Sequence, residues 1–279
     1  MWKKITITVM LAIATVFLIT AALNDKDNNL PSEIDFNEET REEMEKDEKK
    51  EVDKGKSNEK ERELPKLAII LDDIGNNFQA ERNIEKIEKE ITLAVLPFRE
   101  DTHRSMSFFS DREIILHIPL QPLGEDGLEE EMLMTDMSSS EIKKEFERHL
   151  SALGNNVYGV NNHKGSAFTS DENATRALLS SIKKNDLYFV DSFTIGSSVG
   201  FDIAREMGIP TAKRDVFLDN SRKKEDIKAR LEESVKIAEK KGSAVAIGHG
   251  YPETISVLIK EMHSFGERVE FVNASDIVK

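Results

Sequence analysis

From Pro65 onward the chain alternates two patterns: a short, largely apolar run, then an amphipathic helical stretch. A run with no polar face must, as a strand, be covered on both sides. Leu67–Leu71, Thr92–Leu96, Glu113–Leu116, Val157–Val160, Leu187–Val190, Ala244–Ile247 and Val269–Val272 are such runs, and Ile209–Lys213 is a possible further strand. Between them, Ser139–Leu153 sets Ile142, Phe146, Leu150 and Leu153 on one helical face, behind serines that can cap its start. Asp171–Lys184 does the same with Ala174, Leu178 and Ile182, and Glu225–Lys241 with Ile227, Leu231 and Val235, ended by Gly242. Pro252–Phe265 reads as a last helix opening on proline. Strands alternating with helices imply an α/β fold with a mostly parallel sheet. No Gly-x-Gly-x-x-Gly turn follows the first run, which argues against a dinucleotide fold. The expectation is a (β/α) barrel, incomplete or distorted, over residues 65–279.

Two segments of different chemistry precede it. Lys3 and Lys4 stand before an uncharged run of 19 residues, Ile5–Leu23. That length falls between a signal-peptide core of ~7–15 residues and a spanning helix of ~20. Residues 1–23 are therefore expected to be a signal peptide or an N-terminal membrane anchor, with membrane contact only through residues 5–23. The lysines hold the start cytoplasmic, so the remainder is expected to be extracytoplasmic, secreted or anchored. Residues 24–64 carry 16 Asp and Glu against 9 Lys and Arg with almost no aromatic residue, the composition of an acidic disordered linker. The net charge of −14 leaves −9 on residues 65–279, which excludes a nucleic-acid partner, since phosphate binding draws on Lys and Arg. The absence of cysteine excludes a disulfide framework, a thiolate metal site and a cysteine nucleophile. No pattern in the chain speaks to an oligomeric state.

Chemistry in such barrels collects at the C-terminal ends of the strands. The residues following each apolar run are Asp72 and Asp73; His117; Asn161, Asn162 and His163; Asp191; and His249, with Arg214 after the possible further strand. Three of the six histidines thus end separate buried strands, whereas His103, His149 and His263 fall in helical stretches and are expected at surfaces or edges. Two aspartates and three histidines converging on one mouth make an oxygen/nitrogen site suited to zinc or a similar divalent metal. Carboxylates ending a buried strand are costly unless a cation or partner meets them. Because side chains alternate along a strand, Asp72 and Asp73 are expected to point differently, one binding metal and the other free to take a proton.

These motifs resemble the divergent branch of the polysaccharide deacetylases. The carriers are Ala68–Gly75 (AIILDDIG), Ile115–Pro122 (ILHIPLQP), Gly159–Thr169 (GVNNHKGSAFT), Phe189–Ser192, Arg214–Asp219 and Ala246–His249, spread over Lys66–Val278. The resemblance implies a distorted (β/α)7 barrel and metal-dependent N-deacetylation of an extracytoplasmic polysaccharide or peptidoglycan-type glycan. It implies Asp72 as general base, Asp73 and His117 as metal ligands, and His249 as general acid. Gln121 stands where the mainstream family has a second metal histidine, and His163 is the candidate replacement. The mainstream Arg-Pro-Pro motif is absent around Asn161–His163. Asn161, Asn162, Asp191, Gln121 and Arg214 are expected to contact substrate or brace the ligands. The competing expectation is a non-catalytic envelope module that binds glycan or protein on a degenerate deacetylase barrel. A metal-dependent phosphoesterase fits less well, having only Lys164, Lys213 and Arg214 as phosphate clamps. Phe98 and Phe168 lie near strand ends where a ring could stack on a sugar, although core packing is the commoner use.

Overall fold

Each apolar run becomes a parallel strand in the computed structural model, which describes residues 63–125 and 127–279. The strands are β1 (Lys66–Ile74), β2 (Thr92–Val95), β3 (Glu113–Leu120), β4 (Gly159–Lys164), β5 (Tyr188–Asp191), β6 (Thr211–Lys213), β7 (Val216–Phe217), β8 (Ser243–His249) and β9 (Glu270–Val272). They pair in the order β6-β5-β4-β3-β2-β1-β8-β7. The two edges of this path, β6 and β7, are separated in sequence by Arg214 and Asp215 alone. Three Cα steps span at most about 11 Å, so the sheet must curl until its edges meet. The backbone N–H of Arg214 donates to Asp191 O at 3.0 Å and that of Asp215 to Val245 O at 2.8 Å, stitching the seam. With Thr211–Phe217 counted as one bent stave, the result is the distorted (β/α)7 barrel.

One expected stave is corrected. The Val269–Val272 run yields β9, which pairs only with Lys66–Ala68 of β1, off the barrel path. The seam segment takes the seventh place instead.

Continuous apolar runs follow from two cores. Leu67, Ile69 and Leu71 pack outward under the helices, whereas Ala68 and Ile70 join Ala94, Ile115, Val190 and Ile247 in a separate interior cluster. The period of two that separates these sets carries on past the apolar residues. β3 runs to Leu120 and β4 to Lys164, beyond the runs ending at Leu116 and Val160. His117, Asn161 and His163 therefore stand within strands rather than after them.

The outer helices are α1 (Phe78–Glu81), α2 (Thr102–Phe108), α3 (Ser139–Leu153), α4 (Glu172–Lys184), α5 (Gly200–Glu206), α6 (Lys224–Lys241) and α7 (Pro252–Phe265). Local chemistry sets their limits. Ser138 and Glu141 form a reciprocal capping box on α3, Asp171 caps α4 through Ala174 N, and Gly242 ends α6 at φ +88°. His103 and His263 are exposed as expected, but His149 is fully buried on α3. Its ring nitrogens lie 2.6 Å from Glu145 O and 2.7 Å from Glu131 O. Phe168 is core, and Phe98 stays 43% exposed at the rim under the guanidinium of Arg148. Among the described residues no helix is long and apolar enough to cross a membrane. The expected membrane segment and all but the end of the acidic linker lie outside those residues.

The base of the barrel is plugged by Tyr188, whose hydroxyl donates to Glu113 Oε1 at 2.9 Å. Gly159, its register partner across β4 and β5, leaves room for the ring, since a Cβ there would stand 2.3 Å from Tyr188 Cε2. Gly159→Ala is expected to lower stability by about 1–3 kcal/mol through overpacking, read by urea unfolding, and Tyr188→Leu in that background should restore part of it. An unchanged midpoint in Gly159→Ala would mean that the ring does not fill the lumen.

Candidate metal centre

The C-terminal end of β1 departs from regular pairing. Leu71 pairs with Leu93 and Ile74 with Val95, so three steps of β1 oppose two of β2. The extra residue is absorbed at Asp73, which adopts a left-handed conformation at φ +62°. That backbone costs of order 1–3 kcal/mol for a non-glycine residue. Its effect is to bring both aspartates near one histidine, where strand alternation alone would turn them to opposite faces. Asp73 Oδ1 lies 3.3 Å, and Asp72 Oδ2 3.7 Å, from the same atom, His117 Nε2.

His117 is held from its other side. Asn161, its register neighbour on β4, places Oδ1 2.8 Å from His117 Nδ1 and donates from Nδ2 to Asp72 Oδ1 at 2.7 Å. An ionised carboxylate cannot donate, so the amide nitrogen faces Asp72 and the amide oxygen faces His117. Nδ1 then carries the ring hydrogen, and neutral His117 presents its Nε2 lone pair to the two aspartates. Burial alone would lower the His117 pKa, but Asp72 and Asp73 raise it. The field that retains a proton on this nitrogen would equally retain a cation.

His163 completes the group, with Nδ1 3.0 Å from Asp73 Oδ1. Asp73, His117 and His163 offer ligand atoms within 4.8 Å of one another. Asp73 Oδ1 is buried and makes no hydrogen bond, although two imidazole nitrogens stand beside it. Ligands about 2.0–2.2 Å from one ion, at angles between 90° and tetrahedral, lie roughly 2.9–3.5 Å apart. The 3.0 and 3.3 Å separations around Asp73 Oδ1 fall in that range. The residues present thus fit a divalent metal with one oxygen and two nitrogen ligands.

The two aspartates are driven apart. Burial raises the Asp72 pKa, outweighing His117 and Asn161. Burial also opposes ionisation of Asp73, but the imidazoles of His117 and His163 hold it well below the usual carboxylate range. A ligand-like carboxylate and a proton-accepting one therefore stand side by side.

His249, the register partner of Asp72, approaches from β8 with Nε2 3.7 Å from Asp73 Oδ2. Its Nδ1 is 2.9 Å from Asp219 Oδ1, and Asp219 Oδ2 accepts from His249 N at 2.7 Å and Thr254 Oγ1 at 2.6 Å. Burial would lower the His249 pKa, but Asp219 raises it. Tyr251 stacks on the imidazole at 4.9 Å. Asp219 was not singled out as a site residue in the sequence, yet it closes the short run Val216–Leu218 just as Asp72 closes Leu67–Leu71.

Among the residues expected near substrate or ligands, only Asn161 touches this cluster. Asn162 accepts from Ser192 N at 2.9 Å and donates to Lys164 O at 2.7 Å, joining β4 to β5. Asp191 accepts from Phe193 N, Ser198 Oγ and Phe201 N, folding the connection from β5 to α5. Gln121 Oε1 accepts from Thr135 N and Thr135 Oγ1, both at 2.8 Å, and is engaged there rather than at the cluster. Arg214 donates to Ser192 O and Phe193 O at 2.7 and 2.8 Å. Glu129, in the connection between β3 and α3, has no sequence pattern that marks it. Burial opposes its ionisation, but Lys164 and Arg99 hold its pKa down to about 2.

Comparison with known proteins accords with these motifs. The family model described as divergent polysaccharide deacetylase matches residues 69–278. The uncharacterized protein YibQ of Escherichia coli K12 is 34% identical over 218 residues, covering 76% of this chain and 67% of YibQ. An uncharacterized protein of Haemophilus influenzae Rd is 32% identical over 216 residues, 76% of each chain. A crystal structure of an uncharacterized protein from Agrobacterium tumefaciens C58 superposes with a TM-score of 0.72 at 25% identity, covering 77% of this chain and 90% of that one.

Elemental analysis after zinc loading and desalting is expected to give near-stoichiometric metal in the wild type. Asp73→Ala and His163→Ala should each lose it, because two ligands hold a divalent ion far less tightly than three. Metal retained by both variants would place it elsewhere.

Proposed function

The chain belongs to the divergent polysaccharide deacetylases, and on that premise we propose that it is a metal-dependent hydrolase removing N-acetyl groups from an extracytoplasmic polysaccharide or peptidoglycan-type glycan. The observation that carries the proposal is the buried, unpartnered Asp73 Oδ1 between His117 and His163, flanked by Asp72 and by His249. Asp73, His117 and His163 would hold a divalent metal, zinc by its preference for such ligands. When bound, the metal supplies Lewis-acid polarisation of the acetamide carbonyl.

The proton chemistry falls to the protein. Asp72, raised in pKa by burial, is suited to take a proton from the attacking water. Asn161 keeps one oxygen of that carboxylate occupied and leaves the other, Oδ2, facing His117 Nε2 without a hydrogen bond. His249 delivers a proton from Nε2 to the departing amine, while Asp219 at Nδ1 orients the ring and favours its charged form. Amide nitrogen is a poor leaving group until protonated, so both transfers are required, and the products are acetate and the free amine.

Action outside the cytoplasmic membrane is part of the proposal. It is supported by the Ile5–Leu23 run behind two lysines and by the extracytoplasmic placement of such glycans.

Asp72→Asn is expected to keep bound metal while acetate release from N-acetylated glycan oligomers falls about 10²–10⁴-fold. Asp219→Ala should also retain metal and lower kcat, since His249 loses its orienting partner. Undiminished acetate release from Asp72→Asn would remove the hydrolytic mechanism. Glycan binding with no acetate release in the metal-loaded wild type would favour the binding-module reading.

A further inference from the structure

The connection between β3 and α3 carries Glu129 into the region of the metal cluster. Arg99 Nη2, from the connection after β2, donates to Glu129 Oε2 at 2.6 Å. Lys164, the last residue of β4, donates from Nζ to Glu129 Oε1 and to Gly127 O. Lys164 directly follows His163 and sits in a left-handed conformation at φ +55°. The carboxylate is therefore fixed from two directions, and one tie comes from the neighbour of a candidate metal ligand.

His163 lies between two carboxylates. Its Nδ1 faces Asp73 Oδ1 at 3.0 Å, and its Nε2 faces Glu129 Oε1 at 3.5 Å. Nε2 is buried and makes no hydrogen bond. The gap exceeds a normal N–H···O hydrogen bond by about 0.6 Å, which a small side-chain rotation closes. The two ring nitrogens sit on different edges of the imidazole, so only one can face a cation beside Asp73. The other must carry the hydrogen when the ring is neutral.

We propose that Glu129 is a positioning residue that fixes His163 as its Nε2–H tautomer and so presents the Nδ1 lone pair to a metal beside Asp73. Glu129 does for His163 what Asn161 does for His117, with one difference. A carboxylate accepting from the ring hydrogen makes the imidazole a stronger metal donor than an amide oxygen can. The two histidines are thereby committed through different nitrogens, Nε2 of His117 and Nδ1 of His163. The inference rests on the reading of Asp73, His117 and His163 as metal ligands.

The test uses the full chain with two readouts. Long-range 1H–15N spectra of the zinc-loaded protein report which nitrogen of His163 keeps its hydrogen, and zinc titration against a competing chelator reports affinity. Wild type should show His163 protonated at Nε2. Glu129→Ala should mix the tautomers and weaken zinc about 10–100-fold, with the thermal midpoint confirming the fold. Glu129→Gln, which can still accept a hydrogen bond but carries no charge, should fall between them. A wild-type His163 protonated at Nδ1, or zinc affinity in Glu129→Ala within twofold of wild type, would overturn the role of Glu129. If wild type binds no zinc, the metal reading itself fails and takes the role of Glu129 with it, an outcome distinct from zinc held equally well without Glu129.

Discussion

A barrel of seven staves has room inside for little more than its own side chains, and each polar group at its last level must find partners on the neighbouring staves. That constraint organises the rest of the molecule. Asp72 meets Asn161 across the lumen, Asn161 meets His117, and His117 meets Asp73. Four residues from three strands thus face one another, with Asn161 hydrogen-bonded to both Asp72 and His117. Asp73 Oδ1 stands beside His117 Nε2 without a hydrogen bond, and a gap of that kind inside so closed a network is where a cation fits. Directly below this level the staves carry packing residues such as Ile70, Ile115 and Ile247.

The rim above the network is strained, and the strain has keepers. Asp73, Phe98, Lys164 and Phe193 are non-glycine residues at positive φ, lying at or just beyond the ends of β1, β2, β4 and β5. Such conformations persist only where the surroundings over-determine them. Lys164 O accepts from Asn162 and Thr194, and Phe193 is gripped by Asp191 at its N–H and by Arg214 at its carbonyl. Asn162, Asp191 and Arg214 therefore matter to the mouth without touching the candidate ligands. They hold the backbone from which those ligands project.

Much of this was legible in the sequence because burial on both faces writes a strand such as Leu67–Leu71 in an unbroken apolar code. The code ends where the lumen turns polar, not where the strand ends, so β3 and β4 read short at Leu116 and Val160. The bulge at Asp73 depends on how β1 pairs with β2, which no single strand records. β7 is two residues long, too short to announce Asp219 as its terminal acid. Glu129 lies in a connection without periodicity. His149 carried a usable signal: Ile142, Phe146, His149 and Leu153 recur at helical spacing on one stripe, and all four are buried. Its charged neighbours concealed it.

The direction of β1 has a consequence for which parts of the molecule can change independently. Lys66 enters the sheet at the base, with β8 along one edge and β9 against the first residues of the other. Asp72 lies six residues further along, about 20 Å away at ~3.3 Å per residue. The residue at which β1 enters the sheet and the aspartates that close it thus stand at opposite ends of one strand. A change made at Lys66 is separated from the cluster by nearly the whole height of the barrel, so the base can vary while the mouth keeps its geometry.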